Sequence, residues 1–245
     1  SPDGPLHRLP FAALVRKSRC LVEWKPLHTV ASGTLYAGLR ESRPTDGARH
    51  WASQLAAFGD PGYPELSREK RGDIHEPNVR DEIQRGRDLG PLPATRREVE
   101  AIAGLFPDGA SKYLGEDATE ERAKTVGRGV RYLHFACHGL INERFPLNSA
   151  LALTIRERPQ DGQDNGLLQA WEIIEKVRLD ADLVTLSACD SGLGKEVGGE
   201  GLVGLTRAFQ YAGARSVLAS LWSVPDDSTA ELMRLFYQGM LGPRR

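Results

Sequence analysis

The run Leu183-Val184-Thr185-Leu186-Ser187-Ala188 carries no charge and ends abruptly in Cys189-Asp190-Ser191-Gly192. Six residues is strand length, and a strand apolar on both faces belongs in the middle of a sheet with helices above and below. Residues 54–58, 132–137, 150–155 and 216–222 read as further strands, the first stopped by Gly59-Asp60-Pro61-Gly62. Cys20-Leu21-Val22-Glu23-Trp24 reads as another. Helical patterns lie between them. Thr95 and Glu98 form a capping box ahead of Val99, Ile102, Ala103 and Phe106 at helical spacing. Residues 115–126 (capped by Asp117 or Thr119), 168–177, 202–211 and 226–240 (capped by Ser228 with Glu231) follow. Strands alternating with helices of this length predict an α/β fold with a largely parallel sheet, and no internal repeat breaks it.

Composition narrows the function. The formal net charge of 245 residues is −1, so no overall basic field points to nucleic acid or an anionic membrane. The longest apolar runs are strand-sized, which predicts no transmembrane helix. Ser1-Pro2-Asp3-Gly4 has neither the basic nor the apolar part of a signal peptide. Three cysteines, Cys20, Cys137 and Cys189, are too few and odd in number for a disulfide scaffold. They predict a reducing, cytoplasmic setting. From about residue 65 to 90 the chain is charged, Arg-rich and poor in apolar residues, a surface loop or frayed helix within one domain spanning 1–245. It serves as a solvated connection or as a regulatory or processing loop.

In parallel α/β sheets reactive groups gather at the carboxyl ends of the strands. Two strands here end in capable residues: Leu133-His134-Phe135-Ala136-Cys137-His138-Gly139, and the run into Cys189. If both end at one level of one sheet, His138 and Cys189 face each other. A free thiol with a pKa of about 8.5 is mostly protonated at neutral pH, and an imidazole can take its proton and later protonate a leaving amine. Gly139 has no side chain to obstruct its N–H, which with the Cys189 N–H makes an oxyanion hole. Gly192, Gly194, Gly198, Gly199 and Gly201 leave the following loop free to bend and to order on binding. Each of these residues also has a plain reading. A cysteine at a strand end is commonly a small buried hydrophobe. Period-2 alternation aims Cys137 away from His134 and Ala136 into the core. His134, between Leu133 and Phe135, reads as a satisfied interior histidine.

The blocks Tyr-Leu-His-Phe-Ala-Cys-His-Gly (132–139), Leu-Val-Thr-Leu-Ser-Ala-Cys-Asp-Ser-Gly-Leu-Gly (183–194) and Gly-Gly-Glu-Gly-Leu-Val-Gly-Leu-Thr-Arg-Ala-Phe (198–209) resemble the CHAT domain. So do residues 213–229 and the opening Pro-Asp-Gly-Pro-Leu-His-Arg-Leu-Pro-Phe-Ala-Ala-Leu (2–14). This is a caspase-like (caspase/separase-type) cysteine peptidase family often attached to TPR repeats. The resemblance implies a three-layer α/β/α sandwich and a Cys–His dyad, with His138 in the family's "HG" and Cys189 in its "SAC". An acidic-Thr pair often follows the family's cysteine; here Asp190-Ser191 stands there. Helical sequence normally precedes the "PDG", so the chain is expected to be a piece of a longer protein. The resemblance further implies that the strand of Ser220 and Trp222 borders the substrate cleft, as an edge to which a peptide adds. Trp222 reads equally as a core aromatic. Asp190 either lines the P1 pocket and favours a basic side chain or merely fixes its loop.

Other chemistries fit less well. A cysteine phosphatase needs an arginine fork six residues after the nucleophile, where this chain has Lys195, a point charge. Gly194-Lys195 is followed by Glu196, not by the Ser or Thr of a P-loop. Zinc on His134, Cys137, His138 and Cys189 would need ligands that a strand points to opposite faces, and no CxxC pair exists. The sequence therefore predicts a cysteine endopeptidase with His138, Cys189 and Gly139 as its catalytic groups and Asp190, Ser220 and Trp222 as substrate-binding residues. It needs no metal or organic cofactor. Its expected partners are a protein or peptide substrate and an activating partner or attached TPR-type or sensor domain, with no direct nucleic-acid contact and no membrane. The alternative is a catalytically silent interaction module on the same fold.

Overall fold

A computed structural model describes residues 9–25, 27–30, 33–41, 51–63, 89–142, 144–156, 164–188, 199–220 and 226–242. Near the start, β1 (Val15–Arg16) and β2 (Arg19–Cys20) form a small antiparallel ribbon, and α1 spans Gly33–Glu41. The strand expected from Cys20 onward is only that ribbon edge; Leu21–Glu23 turns into a 3₁₀-helix, with the Cys20 N–H donating to Glu23 at 2.7 Å.

The centre is a five-stranded parallel sheet of β3 (Ser53–Gly59), β4 (Ala110–Leu114), β5 (Val130–Ala136), β9 (Leu183–Ser187) and β10 (Val217–Ala219). Their order in space is β10-β9-β5-β3-β4. A second, antiparallel sheet holds β6 (His138–Leu140), β7 (Ala150–Ala152) and β8 (Leu167–Gln169). Five more helices complete the domain: α2 (Pro93–Ala103), α3 (Glu120–Thr125), α4 (Ala170–Lys176), α5 (Gly199–Ala212) and α6 (Asp226–Leu241).

The alternation read from sequence decides which side chains meet which layer. On one face Leu133, Phe135, Val184 and Leu186 pack with Ala123 of α3, Ile173 of α4 and Leu205, Ala208 and Phe209 of α5. A row of rings crosses three strands there: Tyr113 on Phe58 at 4.6 Å between centroids, Phe58 on Phe135 at 5.0 Å, and Phe135 on Phe209 at 5.6 Å. On the other face Leu55, Ala57, Tyr132 and Leu183 meet Val99 and Ile102 of α2 and Met233 and Tyr237 of α6. The result is the expected α/β/α sandwich, with a central sheet wholly parallel.

Several helix boundaries differ from the expectation, each for a local reason. Helix α2 starts at Pro93, whose fixed φ and missing N–H suit the first turn. Thr95 is therefore inside it, and its Oγ1 donates to the Leu92 carbonyl at 2.6 Å instead of capping. Residues 115–126 divide into a 3₁₀ turn at Gly115–Asp117 and α3, capped by Thr119 as Arg122 N–H donates to its Oγ1 at 3.3 Å. The segment from residue 167 begins as β8 because Leu151 pairs with Leu168 before α4 starts. Helix α6 begins at Asp226, so Ser228 lies within it, and Glu231 pairs with Arg234 at 2.8 Å. Gly59 allows the closest helix–sheet approach: a Cβ there would lie 2.7 Å from Val99 Cγ2 and 2.9 Å from the Thr95 carbonyl oxygen.

Candidate active site at the carboxyl ends of the central strands

Strand β5 runs beside β9 with Ala136 opposite Ser187, so the two stop at the same level. The chain order reverses one strand away, between β3 and β5, since β4 lies outside β3 on one side and β5, β9 and β10 follow on the other. A crevice at such a reversal is where α/β sheets bind ligands. Past Ala136 the chain leaves the sheet at Cys137 and re-enters as β6, which begins with His138. Past Ser187 come Ala188 and then Cys189, which lies outside the described residues, as do Asp190 and Trp222. In β10 Ala219 pairs with Leu186, which brings half-buried Ser220 to the level of Ser187.

His138 is buried and held from three sides. Its Nε2–H donates to the Gly90 carbonyl oxygen at 2.8 Å. The Tyr63 ring is tilted against the imidazole with centroids 5.1 Å apart. The Tyr63 hydroxyl donates to the Ala152 carbonyl at 2.7 Å and accepts from the His138 backbone N–H at 3.4 Å. Because a carbonyl only accepts, Nε2 carries the proton, and in the neutral ring the lone pair lies on Nδ1. Burial raises the Tyr63 phenol well above its usual range, with further effects from neighbouring groups, so it stays a neutral donor.

Tyr63 and Gly90 arrive from either end of one connection. Strand β3 ends at Gly59, and Asp60 N–H donates to Thr95 Oγ1 at 2.8 Å while Arg96 of α2 holds the Asp60 carboxylate at 2.7 Å. That brace aims 61–63 at β6 and β7. On the far side Leu89 is buried and leads through Gly90 into α2. Most of the charged stretch, residues 64–88, lies outside the described residues. Neither Tyr63 nor Gly90 is marked in the sequence by an adjoining cysteine or histidine. The end of β3 carried the same positional signal.

Gly139 pairs with Leu151, and the backbone alternation decides where its N–H goes. Leu153 N–H donates to Gly166 O and Ala170 N–H to Ser149 O, both across the β8 side of β7. Polar groups alternate along a strand, so Leu151 also turns to β8, and Gly139 opposite it sits at a non-hydrogen-bonded position. Its N–H points to the outer edge of β6, away from the ladder.

Of the two described thiols, one is inert by placement. Cys137 is buried among apolar neighbours, and that burial drives its pKa far up. Cys20 is half-buried in the terminal ribbon. One cluster of carboxylates exists among the described residues: Glu120, Asp164 and Glu172, around Lys124 Nζ, which lies 2.6 Å from Glu172 and 2.8 Å from Asp164. An ammonium already occupies the space a cation would take. Among the described residues no helix is long and apolar enough to cross a membrane.

The CHAT domain family model matches residues 1–245, the whole chain. The chain is also similar to tetratricopeptide repeat protein 28 of Mus musculus, at 31% identity over 180 residues. That span is 62% of this chain and 7% of the mouse protein. The Homo sapiens protein of the same name is 27% identical over the same extent, so this chain spans only a small part of these relatives' length. With the parallel sheet, the paired strand ends and the family match all in agreement, the chain belongs to the CHAT domain family, whose fold is caspase-like.

Proposed function

We propose that this domain is a cysteine endopeptidase in which Cys189 is the nucleophile and His138 the base and then the acid. The observation that carries the reading is the β5–β9 register, Ala136 opposite Ser187, which ends the His138 and Cys189 strands side by side. The Gly90 bond to Nε2 supports it, because it puts the basic lone pair on Nδ1. In the first step the Sγ–H proton passes to Nδ1 as sulfur bonds to the substrate carbonyl carbon, and the developing oxyanion is met by the N–H groups of Gly139 and Cys189. The C–N bond then breaks as Nδ1–H protonates the leaving amine, giving a thioester. Water, deprotonated by the same nitrogen, attacks the thioester and releases the acid and the thiol.

Asp190, Ser220 and Trp222 line the substrate cleft in this reading, with the peptide adding along the β10 edge. Asp190 selects a basic P1 side chain. An attached TPR-type or sensor domain, or a separate partner, switches the enzyme on by ordering the segment after Cys189; the tetratricopeptide repeat name of the curated relatives supports that partner class. The chemistry calls on no metal or organic cofactor. A reducing, cytoplasmic setting suits it, since both described cysteines are free thiols.

Alkylation by iodoacetamide at neutral pH, located by mass spectrometry, tests the dyad without a known substrate. Cys189 should react at least about tenfold faster than Cys20 and Cys137, and His138→Ala should abolish the difference. Equal rates in the unaltered protein would leave a silent interaction module.

A further inference from the structure

A chain of polar side chains runs through the core on the α2/α6 face of the sheet. His134 of β5 donates from Nε2 to Glu98 Oε1 of α2 at 2.9 Å, and its Nδ1 lies 3.3 Å from the Tyr237 hydroxyl of α6. The Tyr237 hydroxyl lies 2.9 Å from Thr185 Oγ1 of β9. All four residues are essentially inaccessible, the most exposed of them at 1%. One set of donor assignments runs along it without a break: Thr185 to Tyr237, Tyr237 to His134 Nδ1, His134 Nε2 to Glu98. Glu98 Oε2, at the end, has no hydrogen-bond partner among the described residues.

Apolar contacts alone would hold α2 and α6 against this face, since Val99, Ile102, Met233 and the Tyr237 ring are already packed there. Such contacts are non-directional and tolerate a helix that slides or rotates by a fraction of a turn. Hydrogen bonds do not, and a connected buried network selects one arrangement. The four anchors are also distinctive in where they sit. His134 and Thr185 are register partners, each four residues before a proposed catalytic residue, His138 and Cys189. Glu98 belongs to the helix whose first turn binds Asp60 through Thr95 and whose lead-in supplies the Gly90 carbonyl. Tyr237 belongs to the helix that follows Ser220 and Trp222 in the chain.

Resting on the dyad reading above, we infer that Glu98, His134, Tyr237 and Thr185 are positioning residues. Their hydrogen-bonded chain locks α2 and α6 to the two dyad strands and so fixes the Gly90 carbonyl that selects the His138 tautomer.

The ¹⁵N shifts of the His138 ring report that tautomer directly, and iodoacetamide reports Cys189. Both are read on the full chain at a temperature where each variant is folded by circular dichroism. The unaltered protein should show one Nε2–H tautomer. Tyr237→Phe, which removes only the hydroxyl, and Glu98→Leu should show mixed tautomers and Cys189 alkylation slowed about tenfold or more. Glu98→Gln, which still accepts from His134, should restore both. Should Tyr237→Phe fail to fold, Thr185→Val, nearly isosteric, removes the outermost link. An unchanged tautomer in the folded variants overturns the inference. Slow Cys189 alkylation in the unaltered protein overturns the dyad instead, and the tautomer readout still decides the network.

Discussion

His138 Nε2–H donates to the carbonyl of Gly90 at 2.8 Å, across 48 positions of sequence. That one bond anchors Nε2 and, in the neutral ring, leaves the lone pair on Nδ1, the nitrogen that takes the thiol proton in the proposed mechanism.

The dyad is tested by removal. Cys189→Ala and His138→Ala should each lower peptide-library turnover by about 10⁴-fold or more, with melting temperature nearly unchanged. Turnover retained in the Cys189 variant would sink the proposed mechanism.

Cys137 should behave as core. Its buried thiol, with its pKa driven up, should resist iodoacetamide in the native state and become labelled only on unfolding. Cys137→Ala should cost roughly 1–2 kcal/mol of stability and leave turnover unaffected. Loss of activity in that variant would put the wrong sulfur in the mechanism.

Tyr63→Phe keeps the ring against His138 and loses the hydroxyl that donates to Ala152 and accepts from the His138 N–H. We expect about 1–2 kcal/mol less stability from the unpaired carbonyl, measured by urea unfolding, and a kcat lowered severalfold with KM little changed. A raised KM with kcat intact would assign Tyr63 to substrate binding instead.

Stability should fall as pH rises between about 4.5 and 7, because of Glu120. Burial raises its carboxyl from 4.5 to about 7, since three carboxylates share the single Lys124 ammonium. Below pH 4.5 the group is protonated in both folded and unfolded chains. Between 4.5 and 7 the unfolded chain loses its proton first, so the folded state is progressively disfavoured, by up to roughly 3 kcal/mol. Above 7 the cost is constant. Glu120→Gln still accepts from Gly166 N–H, so it should fold and flatten the slope of melting temperature against pH across this window. A variant with the slope of the unaltered protein would exclude Glu120 as its source.

Specificity is testable by library profiling. If Asp190 lines the P1 pocket, Arg and Lys should lead at P1, and Asp190→Ala should lose that preference more than it loses turnover on small apolar residues. A profile led by Asp or Leu would assign Asp190 to holding its loop.

Much of the fold was legible because it depends on local periodicity. The run 183–188 is apolar on both faces, so it had to be a central strand, and alternation alone placed Cys137 in the core opposite His134. The two strands singled out for their ends, β5 and β9, are neighbours in the sheet with Ala136 opposite Ser187. Boundaries were less legible where a tertiary partner outbid local propensity. Glu98, expected at a capping-box position, lies in the second turn because the helix starts at Pro93, and its carboxylate meets His134 in the core. Leu168 reads as helix yet pairs with Leu151 as strand.

The sequence by itself determined the layers and the parallel sheet, since these rest on side-chain polarity at short spacing. Only the tertiary structure decided that Gly90 and Tyr63 hold His138, that the Gly139 N–H turns away from its ladder, and that Glu98, His134, Tyr237 and Thr185 join in one chain. Each of these is a directional bond between residues remote in sequence, and direction is set by how helices and strands sit on one another, not by the spacing of apolar residues along either.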